Sequence, residues 1–250
     1  MSIDPRTYTY PNALLKDRTI MITGASDGIG RALAFEAARL GAQVVLHGRN
    51  SAKLEKVYDQ IDAMDGTLRP SIVVLDLASA NAENYTILAN SIEAEFGKLD
   101  GLVHNAAIIG DRFSIEQFDA VVWQRVMHVN VTASFALTQV LLPLLHQSDD
   151  ASVIFTSSSV GRIGRAHWGA YAVSKFAIEG LSQVLADEHP HEKLRSNCIN
   201  PGATRTNMRL EAFPGENRDL LKAAQDILAP YIYLLGPDSN GITGKSFNAQ

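Results

Sequence analysis

Cysteine is nearly absent: Cys198 stands alone among 250 residues, which excludes an internal disulfide and fits a reducing compartment. Set in an apolar stretch, it reads as core filler rather than as a nucleophile. Long hydrophobic runs are missing too. Nowhere do enough apolar residues follow one another to span a bilayer, and the opening MSIDPRTYTYPNALLKDRT holds no apolar stretch of signal-peptide length. The expectation is a cytoplasmic protein without a membrane span. An excess of positive charge is also lacking: the net charge of −5 and a pI near 5.8 argue against nucleic acid or an anionic membrane as partner, since both reward a basic face. Any anionic ligand must therefore be held by local groups. His189-Pro190-His191 has no cysteine and no carboxylate to complete a coordination shell, so no metal site is expected.

What the chain does have is a 46% hydrophobic content spread in short β-branched runs that alternate with helical patterns. TIMIT, QVVLH, SIVVLDL, GLVHN, SVIFTSS, RSNCIN and GITGKSF read as seven strands. Ile29, Leu33, Ala37 and Leu40 share one face of a first helix, closed by Gly41 at the position of a left-handed cap. Further helices are expected over 51-64, 81-97, 114-126, 130-147, 170-188 and 226-235. Strands that are apolar throughout and alternate strictly with helices imply an α/β, doubly wound, Rossmann-type fold: one seven-stranded parallel sheet with helices on both faces. No repeat or linker divides the chain, so 1-250 reads as a single domain carrying both the dinucleotide site and the catalytic site, with 1-17 as an N-terminal extension. The long polar interruption 203-219, ATRTNMRLEAFPGENRD, reads as a substrate lid.

Gly24, Gly28 and Gly30 in TGASDGIG follow a strand and open a helix, the context a phosphate-binding turn requires. Glycine lets the main chain approach a pyrophosphate, and the free N–H groups of the helix N-terminus attract it. The second strand ends in Gly48 and Arg49 rather than in the acidic residue that would bind a ribose hydroxyl and repel a 2′-phosphate. A guanidinium matches phosphate in charge and fork geometry, which favours NADP(H) over NAD(H) by about 1 to 2 kcal/mol. Asp27, inside the turn, is an awkward neighbour for that second phosphate.

Tyr171 and Lys175 stand four residues apart in YAVSK, on one face of a helix, and Tyr171 follows Ser158 by thirteen residues. A free phenol titrates near pH 10, and bringing it to about 7 takes roughly 4 kcal/mol, the order of one adjacent cation aided by an oxidised nicotinamide. That arrangement suits proton transfer to or from an oxygen substrate.

TGASDGIG, HNAA at 104-107, Asn130, Ser158, YAVSK and the INPGATRT run at 199-206 together resemble the short-chain dehydrogenase/reductase superfamily, in order and over nearly the whole chain. FTSSSVGRIGRAHWGAYAVSKFA and CINPGATRTNMR look like the YciK-like short-chain oxidoreductases within it. The resemblance implies a catalytic set of Asn130, Ser158, Tyr171 and Lys175. Tyr171 would be the proton donor or acceptor, Lys175 would lower its pKa and bind the nicotinamide ribose, Ser158 would bind the substrate oxygen, and Asn130 would hold a water for proton exchange. Ser157 and Ser159 lack the thirteen-residue spacing.

It also implies cofactor contacts from Gly24, Ser26, Gly28, Ile29, Gly30 and Arg49, from Asp76 and Leu77 near the adenine, and from Asn105 and Ala106 beside the adenosine ribose. Tyr171, Lys175, Pro201, Gly202, Thr204 and Thr206 would complete them at the nicotinamide end. His104 and Ala107 depart from the family's usual asparagine and glycine, and SFNAQ lacks its glycine-rich finish. Val131, Phe135, Ile178 and Leu181 resemble the family's dimer face, implying a homodimer or homotetramer. The function expected is hydride transfer between NADP(H) and a small ketone, aldehyde or secondary alcohol. The alternatives are an NAD(H)-linked dehydrogenase, a lyase or epimerase on the same cofactor, and a non-catalytic nucleotide sensor. GRIGRAHWG should line the pocket by the same resemblance, with Trp168 favouring an apolar or ring-bearing ligand. Arg162, Arg165 and His167 are either solvated loop cations or a receptor for an anion.

Overall fold

The computed structural model describes residues 3–190 and 193–250, so the possible metal residue His191 lies outside the described residues. Strands β1 (Thr19–Thr23), β2 (Gln43–Gly48), β3 (Ser71–Val74), β4 (Gly101–His104), β5 (Ala151–Thr156), β6 (Leu194–Asn200) and β7 (Ser246–Asn248) form one parallel sheet in the order β3-β2-β1-β4-β5-β6-β7. The helices are α1 (Gly28–Arg39), α2 (Ser51–Asp62), α3 (Ala82–Phe96), α4 (Ala120–Met127), α5 (Ala133–Leu145), α6 (Gly169–Glu188), α7 (Asn207–Ala212) and α8 (Ala229–Leu235).

Side chains alternate across the sheet, which divides the core in two. In β1, Ile20 and Ile22 face Leu33 of α1, Leu54 of α2 and Tyr231 of α8, whereas Met21 faces Leu88 of α3, Leu137 of α5 and Ile178 of α6. Both faces are covered, as the unbroken apolar strands require, and the winding reverses between β1 and β4. The carboxyl ends of those two strands are where a doubly wound sheet binds its ligand.

Several elements differ from expectation. The stretch 241-245 is loop, with Gly241 and Gly244 at φ +79° and +66°, so β7 starts only at Ser246. Residues 114-119 form no α-helix. Instead Asp119 accepts N–H groups from Val121 and Val122 at 2.8 and 2.9 Å and caps α4, and α4 runs without a break through a wide π-type turn (His128–Thr132) into α5. By length and hydropathy that continuous helix passes for a membrane span. Asn130, Leu137, Leu141 and Leu145 on it are buried, however, and it is a core helix of the sheet. At the other end of the chain, 226-235 shortens to α8, with Pro230 in its first turn. The N-terminal extension is docked: Tyr8 meets the Tyr233 ring edge-on at 5.1 Å, and the Tyr10 hydroxyl donates to Glu36 at 2.9 Å.

Candidate active site

Close packing at the ends of β1 and β4 explains the glycines. Gly24 has φ +68° and Gly28 +52°. A Cβ on Gly30 would lie 2.4 Å from the Gly24 oxygen and 2.6 Å from Asn105 Nδ2. Thr23 fastens the turn to the neighbouring strand. Its hydroxyl donates to Val103 O at 3.2 Å and accepts from the N–H groups of Asn105 and Ala106 at 2.9 and 3.0 Å. Asn105 Nδ2 donates back to Thr23 O at 3.1 Å. The result is a bare main-chain cradle at the N-terminus of α1, with Ser26 half-buried beside it, a fit for a pyrophosphate. One group competes: the Asp27 carboxylate caps the helix, accepting Gly28 N–H at 2.7 Å, and its other oxygen accepts from Asn207 Nδ2 at 2.7 Å. The phosphate turn is thereby tied to the first residue of α7.

Arg49 is exposed at the end of β2. Asp76 is exposed and accepts Ala78 N–H at 3.0 Å, while the Leu77 side chain is buried in the core, leaving only its main chain to face a ligand. Pro201 and Ala203 direct their carbonyls to Gln250 Nε2 at 2.8 and 3.1 Å, with Gly202 at φ +73° between them. Thr204 is buried and Thr206 caps α7, its Oγ1 accepting Arg209 N–H at 3.1 Å.

Across this cleft, Tyr171 and Lys175 project from the first turns of α6, only 8% and 4% exposed. Ser158 leaves the end of β5 extended and opens a short 3-10 turn, from which its hydroxyl acts on the Tyr171 phenol. Of its neighbours, Ser157 is buried and Ser159 faces solvent. Lys175 Nζ donates to Thr156 O at 2.7 Å and lies 5.5 Å from the centre of the Tyr171 ring, with two N–H donors left over. Burial pushes the phenol up to about 12, against which the Ser158 hydroxyl pulls down. Burial also brings the lysine down to about 8, opposed by Cys198 and Glu179. Burial thus sets the direction of the phenol's shift in the protein without cofactor, and the lowering expected of Lys175 together with an oxidised nicotinamide belongs to the bound state.

Asn130 sits in the wide turn of the long helix. Its Oδ1 accepts Ile108 N–H at 2.9 Å, and its Nδ2 donates to Ile108 O at 2.9 Å and to Ser174 Oγ at 3.0 Å. Both Nδ2 hydrogens are engaged, so a water would be held as a donor to Oδ1 or to the main-chain oxygen. The amide works as a strut between the strand β4 exit and α6. His104 stacks on Phe155 at 4.7 Å with Nε2 2.8 Å from Thr138 Oγ1, and burial lowers its pKa to about 3. It is a core histidine. Ala107 is not among the residues at positive φ, so its methyl group carries no backbone strain.

Above Tyr171 the wall is apolar. Ile109, Val160 and Ala212 are buried around it, joined by Trp168, Met208 and Phe213. Arg162 does not face this space: it bonds Glu179 at 3.2 Å, Asn248 at 2.8 Å and Phe247 O at 3.0 Å, and also Ser246, which removes it as an anion receptor. Arg165 and His167 are exposed.

The family profile described as short chain dehydrogenase matches residues 18–217. The chain belongs to the short-chain dehydrogenases. It is similar to the Escherichia coli oxidoreductase YciK, with 53% identity over 97% of this chain and 96% of that protein. A short-chain dehydrogenase from Shigella flexneri, solved in complex with NADP, superposes with a TM-score of 0.93 at 52% identity, covering 96% of this chain and all of that one. One from Escherichia coli CFT073, complexed with NADPH, does so with a TM-score of 0.93 at 53% identity and the same coverage.

Three positions of this short-chain dehydrogenase were hidden in the sequence. Thr23 reads there as the last β-branched residue of a strand. Gly161 is needed because a Cβ would lie 2.8 Å from that of Lys175; only its place three residues after Ser158 hints at this. Arg112, in the loop after β4, has no sequence signal at all.

Proposed function

We propose that this short-chain dehydrogenase interconverts a small ketone or aldehyde and its alcohol with NADP(H), Tyr171 giving or taking the proton. The observation that carries the reading is the buried Tyr171 with Lys175 Nζ 5.5 Å from the centre of its ring and Ser158 at the end of β5 acting on the phenol, facing a glycine cradle at the sheet's switch point. When bound, the nicotinamide cofactor supplies or accepts the hydride. In the reductive direction the Ser158 and Tyr171 hydroxyls both donate to the carbonyl oxygen as negative charge grows there. The Tyr171 proton then passes to that oxygen, and Lys175, held on Thr156 O, stabilises the phenolate left behind until solvent re-protonates it. Oxidation runs the same steps backwards from the phenolate. Asn130 is a positioning residue that holds α6 against the β4 loop.

Gly24, Ser26, Gly28, Ile29 and Gly30 would cradle the pyrophosphate, and Arg49 the 2′-phosphate. The main chains of Asp76 and Leu77 would meet the adenine, Asn105 and Ala106 the ribose, and Pro201, Gly202, Thr204 and Thr206 the carboxamide end. The NADP and NADPH bound in the two relatives support NADP(H) as the cofactor. Residues 203-219 would cover the substrate as a lid. The lone buried Cys198 suits the cytoplasm. A homo-oligomer would form on the outer faces of α5 and α6, where Phe135, Val173, Phe176 and Val184 are exposed. Ile178 and Leu181, expected there, instead join the core.

Replacing Tyr171 by Phe tests the reading. Turnover of a carbonyl panel should vanish while NADPH binding stays; undiminished turnover refutes the role, and a wild type that binds NADPH but turns over nothing favours the sensor alternative.

A further inference from the structure

Arg112 is a cation without a counter-charge beside the substrate space. Its guanidinium carbon lies 4.4 Å from the centre of the Trp168 ring and 4.6 Å from that of Phe213, in the corner the two rings make 5.8 Å apart. Trp168 lies 5.6 Å from the Tyr171 ring, so one indole separates the guanidinium from the phenol. Nη1 donates to the Ala212 main-chain oxygen, and Nε is buried with no partner. Among the described residues no carboxylate pairs with it: Glu216 is taken by Arg209 at 2.5 Å, and Glu179 by Arg162 at 3.2 Å. A guanidinium lying against aromatic faces keeps its in-plane N–H groups for acceptors, and their fork matches a carboxylate.

We propose that Arg112 is a specificity-determining residue and that the substrate is a carbonyl compound carrying a carboxylate. Its apolar body lies against Trp168 and Phe213, its carboxylate meets Arg112, and its carbonyl meets Ser158 and Tyr171. The carbonyl's placement rests on the function proposed above; the carboxylate's does not. Two other cations lie near this space: Arg209, 3.9 Å from the centre of the Phe213 ring, is paired with Glu216 at 2.5 Å, and Lys175 Nζ is drawn away onto Thr156 O at 2.7 Å. The anion therefore binds at the Arg112 end, where a charge gained from the ligand is matched rather than stranded.

The test compares 4-carboxybenzaldehyde with its methyl ester, each with NADPH, in wild type, Arg112→Met and Arg112→Lys. Wild type should favour the acid by tenfold or more in kcat/KM. Arg112→Met should lose that preference through KM while keeping ester turnover within about twofold, and Arg112→Lys, which keeps the charge without the fork, should retain part of it. Equal use of acid and ester by wild type overturns the proposal. So does an equal loss on both substrates in Arg112→Met, which would make the arginine a brace for α7. Calorimetric titration of 4-methylbenzoate into the NADP-loaded protein gives a readout without turnover. Binding that requires Arg112 in a protein that reduces neither aldehyde would keep the carboxylate site and refute the reductase reading. Binding that survives in Arg112→Met would refute the carboxylate site.

Discussion

Lys175→Met separates the two things the lysine does. The Tyr171 phenol is pushed up by burial, so its ionised form depends on positive charge nearby. An ammonium 5.5 Å from the ring supplies about 3 kcal/mol at an effective dielectric constant near 20, or about two units. Removing it should lower alcohol oxidation at pH 7.5 by roughly 100-fold and shift the rising limb of its pH profile upward by about two units. Stability should move the other way. The lysine is lowered from 10.5 to about 8 by burial, so between those values the unfolded chain binds more protons and stability rises with pH. Below pH 8 the full cost of the buried charge is present, about 3 kcal/mol. Losing the Thr156 hydrogen bond returns about 1 kcal/mol. The methionine variant should therefore be about 2 kcal/mol more stable at pH 7 by urea melts, an advantage gone by about pH 10. A variant less stable at pH 7, with an unmoved pH profile, would refute both halves of the reasoning.

Arg49→Ala should cut the preference for NADPH over NADH about tenfold, read as the ratio of kcat/KM values; an unchanged ratio removes the arginine from the 2′-phosphate. Asp27→Asn keeps a capping oxygen for Gly28 N–H but removes the charge. NADPH should then bind about fivefold tighter, a gain of roughly 1 kcal/mol, and fluorescence titration showing no change would mean the carboxylate already swings clear. Gly30→Ala places a methyl group 2.4 Å from the Gly24 oxygen and should cost about 2 to 3 kcal/mol of stability along with cofactor binding. A normal melt and titration would contradict the packing described. Phe176→Glu, on the exposed face of α6, should lower the sedimenting mass to that of a monomer; an unchanged oligomer would place the interface elsewhere.

The alternation of strands and helices was legible because burial on both sheet faces forces apolar runs that any reader of the chain can find. So was the Tyr171–Lys175 pair, whose geometry a single helix dictates. Structure that depends on distant partners was not. The wide turn at Asn130 is fastened by hydrogen bonds to Ile108 and Ser174, residues far off in the chain, and a break between two helices is the natural reading of the sequence. Arg162 and Arg112 look alike as loop cations. One is consumed by Glu179 and the β7 edge and the other is left beside Tyr171, a difference made by packing alone. α7 (Asn207–Ala212) leaves no mark in the sequence, since six mixed residues carry no periodicity.

The π-type turn holds one residue more than an α-helical turn, so the long helix keeps its register on either side of Asn130. Excising His128 would let the segment relax to an ordinary spiral with Leu137, Leu141 and Leu145 still against the sheet. What the extra residue maintains is the aim of the Asn130 amide, so such a deletion should spare the fold while breaking the link from Ile108 to Ser174.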